Sequence, residues 1–195
     1  MTSDKGLVIV LSGFSGAGKG TIMKHLLEAH PNDYNLSISA TTRNMRAGEK
    51  DGREYFFITK EEFEERIKNG QLLEYAKYVD NYYGTPKDWV LAQMEQGKNV
   101  ILEIELQGAF QVRDQIPEAV LIFIMPPDME ELERRLRGRG SETEEQIKKR
   151  LLRAMEEIEY VDQYDYVIVN EEVEKSVEML HTIVLNVKEQ NKTGE

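Results

Sequence analysis

The feature that most constrains this chain is a glycine-rich turn set between a buried strand and a helix. Residues 7–12, LVIVLS, form a short, continuous, β-branched run, the pattern of a strand covered on both faces. Gly13-Phe14-Ser15-Gly16-Ala17-Gly18-Lys19 follows at once. Residues 21–30, TIMKHLLEAH, then take helical spacing, with Ile22, Leu26 and Leu27 on one side and Pro31 as the stop. A strand, a G-x-x-x-x-G-K turn and a helix in that order make a phosphate cradle. The glycines let the main chain curl around phosphate oxygens, and successive N–H groups and the helix N-terminus point at the anion. Lys19 adds a mobile positive charge for the β- and γ-phosphates. The next position departs from the pattern, because Gly20 stands where a Ser or Thr hydroxyl touches Mg²⁺, and Thr21 comes one residue later. Metal binding then rests on nucleotide oxygens and water, which Mg²⁺ tolerates. The cradle alone gives nucleotide binding and leaves GTPase, ATPase and kinase open.

Strands and helices alternate along the rest of the chain. Residues 36–39 read as a short strand, 40–53 as a polar, basic loop and EYFFIT (54–59) as a strand. Thr59, with Glu62 completing a capping box, starts a helix that Gly70 closes. LLEYAKYV (72–79) alternates, and Asp80-Asn81 before YYG marks a hairpin. Thr85-Pro86 opens a helix that ends near Gly97. NVILEIEL (99–106) and AVLIFIM (119–125) are parallel core strands with a short helix around 108–115 between them. Helices over 128–138 and 141–161 break at Gly138 and Gly140, and YDYVIVN (164–170) is a last strand before a final helix. This rhythm predicts an α/β fold: a three-layer, parallel-sheet core of the P-loop type. Two segments interrupt it, an insertion of small antiparallel strands over about 34–85 and a helical lid over about 135–147. The core then takes 1–33, 86–134 and 148–195 of a single domain spanning 1–195.

Charge and composition narrow the partners. The chain has 36 acidic and 25 basic side chains, a net charge of -11, which argues against a polymeric nucleic acid as ligand. No apolar run approaches the roughly 20 residues that cross a bilayer. The apolar start runs into the glycine turn rather than a small-residue cleavage site, so it reads as a strand and not a secretion signal. With no cysteine, thiol catalysis and Cys-zinc sites are excluded, and the scattered His25, His30 and His181 do not suggest a metal centre. The expected location is the cytoplasm, without a membrane partner; monomer and homo-oligomer stay equally open.

The stretch 39–55, SATTRNMRAGEKDGREY, carries Arg43 and Arg46 flanked by hydroxyls, with Tyr55 further on. Two guanidiniums can grip one phosphate, and a phenol can add a donor. Glu74 lies on the 72–79 strand, and Tyr83 and Thr85 follow the hairpin. Taken in order, SGFSGAGKGT, TTRNMRAGEKDGREYFF, LLEYAKYVDNYYGTP, ILEIELQG, RRLRGRGSETEEQIKKR and YDYVIVN resemble a guanylate kinase over nearly the whole chain.

The resemblance implies that the insertion binds GMP. Arg43, Arg46, Tyr55 and Tyr83 would hold its phosphate, and Ser39, Glu74, Thr85 and Glu105 would surround the guanine. Guanine presents N1–H and a 2-amino group on one edge, and a carboxylate accepts from both; adenine would turn a lone pair to it. On the donor side the resemblance assigns ATP to Gly13, Phe14, Ser15, Gly16, Ala17, Gly18, Lys19, Gly20 and Thr21, with Asn170 near the adenine. The implied reaction is reversible transfer between ATP and GMP, giving ADP and GDP. Its acceptor oxygen is already ionised, so catalysis is alignment and charge stabilisation without a protein base. Lys19, Arg135, Arg139 and Arg150 are the expected catalytic set, whereas Arg134 and Arg137 fall outside the family pattern and read as solvated or paired with nearby glutamates. Glu103, on the same expected strand as Glu105, would hold a water of the Mg²⁺ that arrives with ATP. Two rival readings stay open: a P-loop kinase for another nucleoside monophosphate, and a non-catalytic module of this type that binds phosphopeptides.

Overall fold

The computed structural model describes residues 5–140 and 142–193. Residues 1–4 of the expected core, and the expected helix start at Ser141, lie outside the described residues. The elements are β1 (Val8–Gly13), α1 (Lys19–Ala29), β2 (Tyr34–Leu36), β3 (Ala40–Thr41), β4 (Phe56–Phe57), α2 (Lys60–Lys68), β5 (Leu72–Tyr78), β6 (Asn81–Pro86) and α3 (Lys87–Glu95). They continue with β7 (Asn99–Glu103), α4 (Leu106–Gln115), β8 (Val120–Met125), α5 (Met129–Gly138), α6 (Glu144–Glu157), a 3-10 turn (Ile158–Gln163), β9 (Tyr166–Val169) and α7 (Val173–Thr193).

The strands form two sheets, one ordered β2-β7-β1-β8-β9 and one ordered β4-β3-β6-β5. In the first, β2 pairs with β7 and β8 with β9 in parallel, and Val8, Ile9, Val10 and Leu11 of β1 are buried. An apolar run without alternation belongs in the middle of a sheet that helices cover on both faces. The expected α/β class with a parallel sheet therefore holds.

Several boundaries move. The strand expected at 36–39 is two strands: residues 34–36 pair with β7, and 40–41 join the second sheet. Tyr34 and Ala40, both buried, anchor the chain on either side of that crossing. The strand expected over 99–106 stops at Glu103, because the Ala109 N–H already bonds to the Glu105 carbonyl at 3.0 Å and Glu105 caps α4. Glu103 and Glu105 thus sit on different elements. The strand at 54–59 shrinks to Phe56–Phe57. In α6, Thr143 and Gln146 form a reciprocal capping box that sets the start at Glu144.

The described residues fall into two compact units. One holds those up to Val10 and Asp33–Ala119; the other holds Leu11–Asn32 and everything from Val120 on. The first contains the whole second sheet. Its β5–β6 hairpin is antiparallel, pairing Glu74 with Thr85 and Ala76 with Tyr83, while β3 pairs antiparallel with β6 and parallel with β4. Phe63 of α2, fully buried, stacks on Tyr82 at 5.2 Å and packs with Ala40 and Leu72 under this sheet. From α4, Gln115 Nε2 donates to the Leu72 and Leu73 carbonyls at 2.8 and 3.0 Å, and Gln111 bonds to the Tyr75 main chain. Those amides fix Glu74 against the start of α4. In the second unit Phe123 meets Phe14 and Tyr164 edge-on, α1 packs on α7, and α5 on α6.

Candidate functional site

The phosphate cradle lies in the second unit. Gly13, Gly16 and Gly18 all have positive φ, and the closest approaches are at the first and last. Gly13 has φ 148°, and a Cβ there would lie 2.0 Å from the Ile124 carbonyl oxygen; Gly18 has φ 97°, and a Cβ would lie 2.4 Å from Asn170 Nδ2. Gly18 is also the N-cap of α1 and offers no side-chain cap, although the Thr21 N–H bonds to the Gly18 carbonyl at 3.1 Å. Phe14 and Ala17 are buried, so their part in the cradle is that of the main chain. Lys19 folds back, its Nζ donating to the Gly13 and Phe14 carbonyls at 2.6 and 3.2 Å. Gly20 is exposed, and a Cβ there would meet nothing within 4 Å. Its missing side chain is therefore not a steric requirement. Thr21 is exposed beside it.

Two of the expected arginines, Arg135 and Arg150, reach this loop, and Arg139 shares a carboxylate with Arg150. Arg135 Nη2 donates to the Asn170 carbonyl at 2.8 Å and Nη1 to the Ala17 carbonyl at 3.3 Å. Asn170 is buried; its Nδ2 donates to the Ala17 carbonyl at 2.8 Å and its Oδ1 accepts from Ser176 Oγ at 3.0 Å. Arg150 donates from Nη1 to Ser15 Oγ, and its Nε lies 2.8 Å from Glu142 Oε2. Arg139 Nη1 stands 3.6 Å from the other oxygen of that same carboxylate. Arg134 and Arg137 pair with glutamates, Arg134 with Glu131 and Arg137 with Glu133 and Glu144. Glu131 is shared by Arg134 and Arg135, which pull its carboxyl down to about 2.

The residues expected at the acceptor site lie in the first unit. Tyr83 and Thr85 occupy alternate positions of β6 and so share one face. On that strand pair, Thr85 Oγ1 donates to Glu74 Oε1 at 2.7 Å. Burial pushes the Glu74 carboxyl up, the Thr85 bonds oppose this, and the charge of Glu105 adds to the rise. The α4 backbone approaches so closely that a Cβ at Gly108 would sit 3.0 Å from Glu74 Oε2. Arg43 lies 5.4 Å from the centre of the Tyr55 ring and 5.6 Å from that of Phe57. Tyr55 meets Tyr83 edge-on at 5.9 Å. Glu49 holds the Arg43 charge, reinforced by the Tyr83 phenol. The fold thus brings together Arg43, Tyr55 and Tyr83 as one group and Glu74, Thr85 and Glu105 as another. The Arg46 side chain is exposed, and among the described residues no hydrogen bond or ion pair ties the Ser39 or Glu103 side chain to either group.

The family model for guanylate kinase matches residues 5–187. The chain belongs to the guanylate kinase family. It is 53% identical over 184 residues to the guanylate kinase of Caldanaerobacter subterraneus subsp. tengcongensis, covering 94% of this chain and 89% of that one. With the guanylate kinase of Oceanobacillus iheyensis the identity is 52%, with the same two shares. The crystal structure of guanylate kinase from Anaplasma phagocytophilum superposes with a TM-score of 0.70 at 36% identity, covering 96% of this chain and 89% of that one.

Beyond the residues expected of this family, the structure singles out Glu49, Glu131 and Glu142, each ion-paired with an arginine expected at the site. Their signal in the sequence is slight. Glu131 stands four residues before Arg135, a spacing that joins side chains on any helix. Glu49 and Glu142 sit in loops, where no periodicity points to a partner.

Proposed function

We propose that this chain is a guanylate kinase in activity: it moves the γ-phosphoryl group of ATP to GMP and returns ADP and GDP. The observation that carries the reading is Glu74. A carboxylate 7% exposed, accepting from Thr85, is costly to bury unless a ligand supplies donors, and the guanine edge supplies two. Arg43, Arg46, Tyr55 and Tyr83 take the GMP phosphate, and Ser39 and Glu105 complete the base site. Gly13 through Thr21 take the triphosphate, and Asn170, which braces Ala17, completes the ATP side. Lys19 leaves the loop carbonyls for the β- and γ-phosphates. Arg135, Arg139 and Arg150 turn their charge toward the transferring group, which spreads charge over three oxygens and needs little else from the protein.

Mg²⁺ enters as part of the ATP substrate. Mg²⁺ commonly keeps several waters and is held largely by nucleotide oxygens. Glu103, through water, is the candidate on this chain for touching that ion. We assign the GMP-binding insertion to about 34–85 and the lid to about 135–147, with closure excluding water from the transfer. Among the described residues no helix is long and apolar enough to cross a membrane. We assign such a nucleotide enzyme to the cytoplasm, with ATP/ADP and GMP/GDP as its partners.

The test is a panel of AMP, GMP, CMP and UMP with MgATP, following ADP release. Turnover should be confined to GMP and fall at least about 10²-fold in Lys19→Ala, as expected for a lost charge on the transferring group. AMP turnover equal to that of GMP would defeat the guanine assignment. Tight phosphopeptide binding without ATP use would favour the non-catalytic reading.

A further inference from the structure

We propose that Glu49 is the positioning residue of the acceptor-phosphate pocket, turning Arg43 so that one edge of its guanidinium is presented to the GMP phosphate. The inference rests on the assignment of Arg43 to that phosphate. A guanidinium carries five N–H donors in a fixed planar fork. In Arg43, Nη1 donates to Glu49 Oε2 at 3.0 Å and to the Asn44 carbonyl at 2.7 Å, and Nη2 donates to Glu49 Oε1 at 2.9 Å. Glu49 therefore takes the end of the fork and Asn44 the outer side of Nη1. Neither of these partners takes Nε–H or the outer N–H of Nη2, which lie next to each other along the opposite edge, and the Tyr83 phenol hydrogen-bonds to the same guanidinium. Two parallel donors on one edge match two oxygens of a phosphate. The Tyr55 and Phe57 rings flank the same guanidinium, and the Tyr83 phenol interacts with it.

The same carboxylate also shapes the loop. Glu49 Oε2 accepts from the Arg46 main-chain N–H at 2.7 Å, and the Glu49 N–H donates to the Arg46 carbonyl at 3.2 Å. One side chain thus fixes the Arg43 head and the Arg46 backbone together. Arg43 is 14% exposed and Glu49 18% exposed, so the pair is held largely out of solvent.

Two effects of this carboxylate oppose each other. By Coulomb's law a negative group near the site repels the incoming phosphate, so removing it would tighten GMP binding. By geometry it holds the fork in its binding orientation, so removing it would loosen GMP. The bidentate contact and the third bond to Arg46 favour the second effect. A glutamine in its place turns an NH₂ donor toward the donors of Arg43 or Arg46, which cannot all then be satisfied.

The experiment compares the full chain with Glu49→Gln and Glu49→Asp, measuring GMP, guanosine and ATP-analogue binding by calorimetry and the kinetics of GDP formation. Glu49→Gln should raise the GMP Kd and KM by about tenfold or more. Guanosine and ATP-analogue binding should stay within about twofold, since neither uses this edge, and kcat at saturating GMP should change less than KM. Glu49→Asp, which keeps the charge, should recover part of the loss. Unchanged or tighter GMP binding in Glu49→Gln would overturn the inference, as would an equal loss for guanosine, which would mean that the loop had simply collapsed. If the unaltered chain binds no GMP, the acceptor assignment falls and this inference with it. If it binds GMP and Glu49→Gln matches it, only the role of Glu49 falls.

Discussion

Glu74 has to be given a reason to ionise. Its carboxyl is pushed up by burial, and the hydroxyl and main-chain bonds from Thr85 only partly compensate. A guanine edge would offer N1–H and the 2-amino group to the ionised form alone, so base binding and deprotonation are linked. The signs for binding and stability then run in opposite directions. A carboxyl raised in the folded state contributes stability that is full below its unfolded value and is lost as pH rises through the folded one. Guanine affinity instead rises with pH across that same window. Guanosine, which carries no titrating phosphate, isolates the effect. Its affinity measured between about pH 5 and 8 should climb with pH, and Glu74→Gln should flatten the profile and weaken GMP about tenfold or more while sparing ATP. A flat profile in the unaltered chain would remove Glu74 from the base site.

At the scale of the element, the β1–loop–α1 unit separates glycines that are required from one that is not. Gly18 carries φ 97° and lies against Asn170, so Gly18→Ala should cost on the order of 1–3 kcal/mol in urea denaturation. Gly20 opens into space within the first turn of α1, so Gly20→Ser should fold normally and gain up to about 0.5 kcal/mol from helix propensity. Equal destabilisation by both would mean that the loop geometry is wrong. This element was legible from the sequence because its signal is local and contiguous: an apolar run, a glycine spacing and a helix start. The hairpin was legible for the same reason, from Leu72 to Thr85. The end of β7 was not. Leu102, Ile104 and Leu106 continue an alternating pattern, and only the tertiary position of Glu105 as a helix cap interrupts it. Likewise the 34–41 segment has strand-forming residues throughout, and nothing local says that it changes sheets at Ser37–Ser39. The carboxylates that hold the site arginines were illegible in loops, where partners are set by through-space geometry rather than by spacing.

Over the whole molecule, a net charge of -11 coexists with sites that attract anions. The arginines resolve this locally: in the nucleotide-free chain Arg43, Arg135, Arg139 and Arg150 each lie against a carboxylate. On the proposed assignment, phosphates entering there would compete with or complement charges that already have carboxylate partners. The expected donor residues, Gly13 to Thr21 with Arg135, Arg139, Arg150 and Asn170, all belong to one compact unit, and the expected acceptor residues, Ser39 to Glu105, all belong to the other. That division is what a two-substrate transfer requires, since each nucleotide must have its own site. Calorimetry of GMP binding at saturating non-hydrolysable ATP analogue tests it most directly. One GMP should bind per chain with the analogue still in place; displacement of the analogue by GMP, or no GMP uptake at all, would contradict the account.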